Sequence, residues 1–243
     1  MFAGPNGSGK STLKSVINSA LLGIYINPDE IEKEIGQRDF LDLSAYGVHT
    51  TAGEILDFFN NAPLLSAAEL QDKAAELRFS DEKLSFHRVA VNAYFASVAA
   101  DFIRRKLLET GTSFTFETVM SFVDKVELLR EAQQRGFRTY LYFIATEDPI
   151  INISRVRHRV RMGGHPVPED KIVSRYRRSL DLLREAVRYT HRAYIFDNSG
   201  NERVWLAEVT EGKMLELKTN TMPIWFKSAL WDCFGKSISG DDA

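Results

Sequence analysis

Gly4-Pro5-Asn6-Gly7-Ser8-Gly9-Lys10-Ser11-Thr12 is the stretch on which the reading of the whole chain turns. It fits G-x-x-x-x-G-K-[ST] without a mismatch. The residue types have physical reasons. Glycines let the backbone fold into a nest whose N–H groups converge on an anion. A helix starting near Lys10 directs its positive end at the same point. Lys10 suits the β- and γ-phosphates of a nucleoside triphosphate, and the Ser11 hydroxyl suits Mg2+. Leu13, Val16, Ile17, Ala20 and Leu21 follow at helical spacing, which predicts a helix directly after the loop. Only Met1-Phe2-Ala3 precede Gly4, where such a loop ordinarily follows a strand of about five or six residues. The expectation is therefore a stub of a first strand, or a chain that lacks its true N-terminus.

Short apolar runs at Gly23–Asn27, Ser113–Glu117, Thr139–Ala145 and Ala193–Asp197 alternate with longer helical patterns. That alternation predicts an α/β fold of the three-layer P-loop NTPase/kinase type, a central, mostly parallel sheet flanked by helices. Residues 1–243 are expected to form one domain. From Leu43 to about Phe86 the pattern predicts a helical insertion without a strand, with helices at Thr50–Asn60 and Ser66–Leu77 and breaks at Pro63 and Ser80-Asp81. A mostly buried helix is expected over roughly Ser85–Glu109, with Arg104-Arg105-Lys106 as favourable charge near its carboxyl end and Gly111 beyond. In the tail (about 204–243), Val204–Val209 and Lys213–Leu217 read as a hairpin around Thr210-Glu211-Gly212. Pro223–Phe234 reads as an apolar segment packed on the core.

The 243 residues are 44% hydrophobic, with a formal net charge of −2 and pI near 6.2, so nothing global points to nucleic acid or a membrane surface. Charge is nevertheless uneven: Ile151–Arg192 holds eleven Lys/Arg against four acids, +7, which leaves −9 for the remainder. The lone cysteine, Cys233, excludes an intramolecular disulfide and a cysteine-based metal site. No apolar run reaches the roughly 18 residues of a membrane span. The first residues do not resemble a secretory leader, so a cytoplasmic location is expected.

No N-K-x-D sequence is present to read guanine in the manner of a signalling GTPase. What the chain offers is polar residues at strand ends, where ligands of open α/β sheets sit. Ile24-Tyr25-Ile26-Asn27 leads to Pro28-Asp29-Glu30, and Phe114-Thr115-Phe116 leads to Glu117-Thr118. Either carboxylate could accept a proton from an attacking hydroxyl; Asp29 could equally be an acid serving the first turn of a helix. Asp148-Pro149 starts a helix that Gly163-Gly164 stops, and a second opens at Pro168. Together they make an arginine-rich lid at about 149–178, whose seven arginines from Arg155 to Arg178 favour phosphate contact over a solvated face. The segment lacks the interleaved aromatics of a nucleic-acid stacking platform. His165 is open between a substrate contact and a backbone hydrogen bond.

In order along the chain stand Gly4–Thr12, Asn27-Pro28-Asp29-Glu30, Phe116-Glu117-Thr118, Arg155-Val156 with Arg159-Val160, Gly163-Gly164-His165 with Pro168, Arg175-Tyr176 and Asp197-Asn198-Ser199. This series resembles the zeta toxin family of P-loop kinases, and most of all its compact chromosomal members. The resemblance spans about residues 1–36 and 87–200. It implies phosphorylation of a UDP-N-acetylglucosamine-type nucleotide sugar by ATP or GTP with Mg2+, and a toxin-antitoxin setting with an antitoxin-like protein as a partner. By resemblance Asp29 is the base, and Arg155 and Arg159 act with Lys10 on the transferring phosphate. Glu117, Thr118, His165 and Arg175 would face the acceptor, and Asn198 would lie near the nucleotide base. Two alternatives stand beside it: a kinase for a nucleoside, another sugar or a 5′-hydroxyl nucleic-acid end, and a non-catalytic, ATP-responsive interaction protein.

Overall fold

In the computed structural model, residues 1–164 and 166–234 are described. In chain order the first half contains β1 (Phe2–Ala3), α1 (Lys10–Lys14), β2 (Ile24–Ile26), α2 (Pro28–Arg38), β3 (Phe40–Asp42), α3 (Ala52–Asn60), α4 (Pro63–Ser66), α5 (Gln71–Ala74), β4 (Arg78–Ser80), β5 (Lys83–Ser85) and α6 (Ala93–Glu109). The second contains β6 (Phe114–Thr118), α7 (Asp124–Gln134), β7 (Tyr140–Ala145), α8 (Pro149–Arg161), α9 (Glu169–Asp181), α10 (Leu183–Arg188), β8 (Arg192–Asp197), β9 (Val204–Thr210), β10 (Met214–Leu217) and α11 (Ile224–Phe226). The chain divides into two compact units, Met1–Asn18 with Glu117–Ala243, and Ser19–Phe116.

The first unit is built on the sheet order β10-β9-β8-β7-β1-β6. Strand β1 pairs in parallel with β6 (Phe2↔Glu117, Ala3↔Thr118) and with β7 (Phe2↔Tyr142, Ala3↔Phe143), so two residues suffice to place it between longer neighbours. Strands β7 and β8 are parallel, and β9 and β10 add antiparallel as the predicted hairpin. Aromatic side chains ladder across one face. Tyr142 stacks on Phe2 at 5.1 Å and on Tyr194 at 4.9 Å, and Trp205 stands 6.1 Å from Tyr194. Such pairs add to area burial by about 0.5–1.5 kcal/mol each. The helix after the glycine-rich loop is shorter than expected. It ends at Lys14, and Val16 and Leu21 are exposed, because turns rather than a continued helix follow.

In the second unit β2 pairs in parallel with Phe114–Phe116 of β6, and α2 packs on α6. The expectation of a strandless insertion over Leu43–Phe86 is overturned. Strands β4 and β5 lie within that stretch and, with β3 just before it, form an antiparallel sheet in the order β3-β5-β4. The β4–β5 hairpin turns on Asp81 and Glu82, both at positive φ (50° and 59°), so the usual Asn-Gly signal is missing. Strands of three residues are too short for a period-2 pattern to declare itself. Of the helix expected at Ser66–Leu77 only the short α5 forms; α4 ends at Ser66, having started at the expected break Pro63, and Glu69 at φ 56° lies between the two.

Helix α6 starts at Ala93, eight positions later than expected, because the Asn92 side chain caps it by accepting from the N–H of Tyr94 (2.9 Å) and Phe95 (3.3 Å). Arg104 is not a solvated end charge. It is 2% exposed, pairs with Asp101 at 3.2 Å and lies 5.3 Å over the Phe116 ring. Replacing Asn92 by alanine leaves both first-turn N–H groups without their acceptor and is expected to cost about 1 kcal/mol, read as a lowered urea midpoint with an unchanged m-value.

Candidate functional site

In the first unit, the loop leaving β1 bends through positive φ at Gly4 (142°), Gly7 (76°) and Gly9 (101°). Space demands glycine as much as the backbone does. A Cβ at Gly4 would fall on the Ile144 carbonyl oxygen, one at Gly9 on Asn198 Nδ2, and one at Gly7 would stand 2.8 Å from the Asn152 carbonyl oxygen. Lys10 is 8% exposed and its ammonium donates to the carbonyls of Gly4 (2.8 Å) and Pro5 (3.0 Å). Asn152 Nδ2 donates to the Asn6 carbonyl at 2.6 Å, and Asn198 Nδ2 to the Ser8 carbonyl at 2.7 Å. Two polar side-chain atoms of the same loop, Ser8 Oγ and Asn6 Oδ1, are buried without a hydrogen-bond partner. Leaving a buried polar atom unsatisfied costs about 1–3 kcal/mol, and binding sites are where such costs are retained.

The parallel pairing of Phe2 with Glu117 brings the end of β6 beside the start of α1. There the Ser11 hydroxyl donates to both oxygens of Glu117, at 3.1 and 3.3 Å. A hydroxyl and a carboxylate so close are hard oxygen donors of the kind Mg2+ takes, with water and phosphate oxygens completing its shell. Among the described residues no group of three or more His, Cys, Asp or Glu is placed to hold a metal by itself. Thr118 Oγ1 accepts from the N–H of Met120 (3.0 Å), closing the turn after β6.

Helices α8 and α9 carry the arginines. Arg155 donates through Nη2 to the Gly200 carbonyl at 3.4 Å, and its Nη1 is buried without a partner. Arg159 is exposed one turn later, where Gly164 N–H donates to its carbonyl (2.9 Å) and ends the helix. Arg157 and Arg178 serve structure: the first pairs with Glu169 across the two helices at 2.6 Å, and the second lies 4.8 Å over the Phe122 ring. Arg175 is half-buried on α9. His165 lies outside the described residues. Asp29 belongs to the second unit. It is exposed on the first turn of α2, where the cap is Asn27, whose Oδ1 accepts from Asp29 N–H at 2.9 Å.

The supporting roles of Thr146, Asn152, Tyr176 and Asp197 escaped the sequence reading. Thr146 donates to Asn152 Oδ1, and its carbonyl accepts from the Tyr176 hydroxyl at 2.6 Å. Burial, with the carboxylates of Glu147, Asp148 and Asp197 nearby, pushes the Tyr176 phenol up, so it remains a donor. Asp197, 7% exposed, accepts from Ser199 N–H (2.9 Å), Ser199 Oγ (2.8 Å) and Trp225 Nε1 (2.8 Å), which fixes the turn presenting Asn198. Asn198 therefore braces the loop. A polar residue in the apolar first turn of α8, Pro149-Ile150-Ile151-Asn152, was the one available hint of Asn152.

The family model for zeta toxin matches residues 78–210, more than half of the chain. The chain belongs to the zeta toxin family. Its members are P-loop kinases, and the phosphate loop and mostly parallel sheet described above are of that kind. A Haemophilus influenzae protein known only as uncharacterized is 26% identical over 175 residues, covering 72% of this chain and 89% of its own length. Among solved structures, the AvrRxo1-ORF1:AvrRxo1-ORF2 complex with sulphate ions includes a chain similar at a TM-score of 0.52 and 14% identity over 90% of this chain; this chain spans 60% of that one. The PezAT chromosomal toxin-antitoxin system of Streptococcus pneumoniae gives 0.50 and 16%, over 96% of this chain and 77% of the other. At these identities the likeness is one of fold. No helix among the described residues is long and apolar enough to cross a membrane.

Asn198→Ala strips the Ser8 carbonyl of its donor in this zeta toxin family member. The expected loss is about 1–2 kcal/mol in a denaturant titration. Gly9→Ala should cost more, since it adds left-handed strain and displaces the Asn198 amide.

Proposed function

We propose that the chain is an ATP-dependent kinase that moves the γ-phosphate onto a hydroxyl of a UDP-N-acetylglucosamine-type nucleotide sugar. The observation that carries the phosphotransfer part is one cluster within the first unit. It joins the positive-φ glycine loop, Lys10 folded across it, the Ser11 hydroxyl on Glu117, and Arg155 with an unpartnered buried nitrogen. The acceptor rests on the ordered motif series and on family membership.

In this reading the backbone N–H groups of Gly4–Thr12 and the Ser8 hydroxyl cradle the phosphates. Lys10 exchanges the carbonyls of Gly4 and Pro5 for the β- and γ-phosphates. Ser11 and Glu117 would hold Mg2+, which supplies charge neutralisation on the phosphate oxygens. Arg155 and Arg159 bear on the transferring group, a role worth roughly a thousandfold or more in rate. Asp29 takes the proton of the attacking hydroxyl as its oxygen bonds to the γ-phosphorus and the bond to the ADP oxygen breaks. That Asn27 caps α2 leaves the Asp29 carboxylate available for this work. Thr118, His165 and Arg175 contact the acceptor, and Glu117 does so from its other side. The reaction belongs to the cytoplasm, with an antitoxin-like protein as the partner that silences it.

Purified protein is given labelled ATP and Mg2+ with a panel of UDP-sugars. Transfer to UDP-N-acetylglucosamine is expected, falling by a factor of about a hundred or more in Lys10→Ala and in Asp29→Asn. EDTA should abolish it and added Mg2+ restore it. Transfer to no UDP-sugar by a folded, ATP-binding protein would overturn the acceptor assignment. A nucleoside or 5′-hydroxyl oligonucleotide labelled instead would replace it. Activity unchanged by Asp29→Asn would remove that residue from the chemistry.

A further inference from the structure

Helix α8 does two jobs. It carries Arg155 and Arg159, and it is the wall against which the phosphate loop is built. Its first turn contains Asn152, fully buried, with its amide nitrogen on the Asn6 carbonyl at 2.6 Å. The amide oxygen of the same side chain accepts from the Thr146 hydroxyl at the carboxyl end of β7. The Asn152 backbone carbonyl lies where a Cβ on Gly7 would be 2.8 Å away, so loop and helix are in contact through backbone as well. From the other side Tyr176, in α9, donates its hydroxyl to the carbonyls of Thr146 (2.6 Å) and Glu147 (3.2 Å). Loop, strand end and α8 are therefore joined through one side-chain amide, and α9 reaches the same strand end through the Tyr176 hydroxyl.

Spacing gives this joint its consequence. Asn152, Arg155 and Arg159 are three and seven positions apart, one stripe along a helix. Fixing Asn152 against the Asn6 carbonyl thus sets both the rotation of α8 about its axis and its height above the loop. Arg155 is already half-buried, and the buried Nη1 without a partner marks the direction in which an anion would complete it.

We infer that Asn152 is a positioning residue that couples the conformation of the phosphate loop to the placement of Arg155, so that nucleotide binding and arginine delivery are one structural event. The inference rests on the kinase reading for its ligand, and goes beyond it in assigning the coupling. An asparagine is chemically suited because it donates on one side and accepts on the other. An aspartate keeps the acceptor for Thr146 and presents an oxygen, not an N–H, to the Asn6 carbonyl.

The test is a double-substitution cycle with Asn152→Asp, Arg155→Ala and both, read by affinity for ADP and ATP without acceptor, by KM and kcat separately, and by thermal midpoint. Asn152→Asp is expected to weaken ATP at least tenfold and to lower kcat. Adding Arg155→Ala to it should cost at least fivefold less than Arg155→Ala costs alone. A purely structural asparagine would lower the thermal midpoint and leave affinity at low temperature and the cycle additive; additivity within twofold overturns the coupling. Should Asn152→Asp not fold, Tyr176→Phe removes the hydroxyl bonds to Thr146 and Glu147 and should shift the same quantities in the same direction by a smaller factor; no shift overturns it. Amide hydrogen exchange on the nucleotide-free protein separates the two readings. If the wild type binds no nucleotide the kinase reading fails, yet faster exchange at both residues 4–9 and residues 150–160 in Asn152→Asp supports the joint. Faster exchange confined to one of the two segments overturns it.

Discussion

Positive φ at Gly4, Gly7 and Gly9 gives the phosphate loop a shape that no regular ladder of backbone bonds can hold. Within the loop, Ser8 N–H donates to the Pro5 carbonyl at 3.2 Å. The carbonyls of Gly4, Asn6 and Ser8 depend on side chains instead: Lys10, Asn152 and Asn198. Two of these three come from segments more than 140 residues away along the chain. The parallel register of β1 with β7 and of β7 with β8 delivers those segments to the same edge. The short β1 can serve as a central strand because parallel pairing with β7 on one side and β6 on the other anchors it.

The same constraint explains why the tail matters to the site. Asn198 points at Ser8 because Asp197 is held by Ser199 and by the indole of Trp225. Ile224 N–H also donates to Glu147 at 3.0 Å, and Ser199 Oγ accepts from Glu147 N–H at 2.7 Å. The C-terminal segment, apolar in sequence, is thus a strut behind the nucleotide loop as well as part of the core.

Charge follows a division of labour that composition hid. The excess of +7 between Ile151 and Arg192 is not spread evenly over one purpose. Arg157 ties α8 to α9, Arg178 covers an exposed phenylalanine, and Arg192 pairs with Glu208. Arg155 keeps a buried nitrogen without a partner. In the other unit, Arg104 is buried against Asp101 and Phe116, where a helix-end charge was expected.

The parallel strands, the hairpin, the two arginine helices and the phosphate loop were legible from residue order alone, because each rests on a local rule: period, cap, turn or nest. The β3-β5-β4 sheet was not, since three-residue strands and a turn on Asp81 and Glu82 leave no local trace, and pairing is decided by what packs around them. The helix after the loop looked longer than it is, because apolar spacing at Val16 and Leu21 found no core to face. Among candidate residues, Lys10, Ser11, Glu117 and Arg155 could be named from types and spacing. That Glu117 meets Ser11, that Asn198 holds the loop, and that Asn152 joins the loop to the arginine helix depend on strand register and on contacts between distant segments. Residue type sets what a side chain can bond; only the folded chain sets which partner comes within about 3 Å of it.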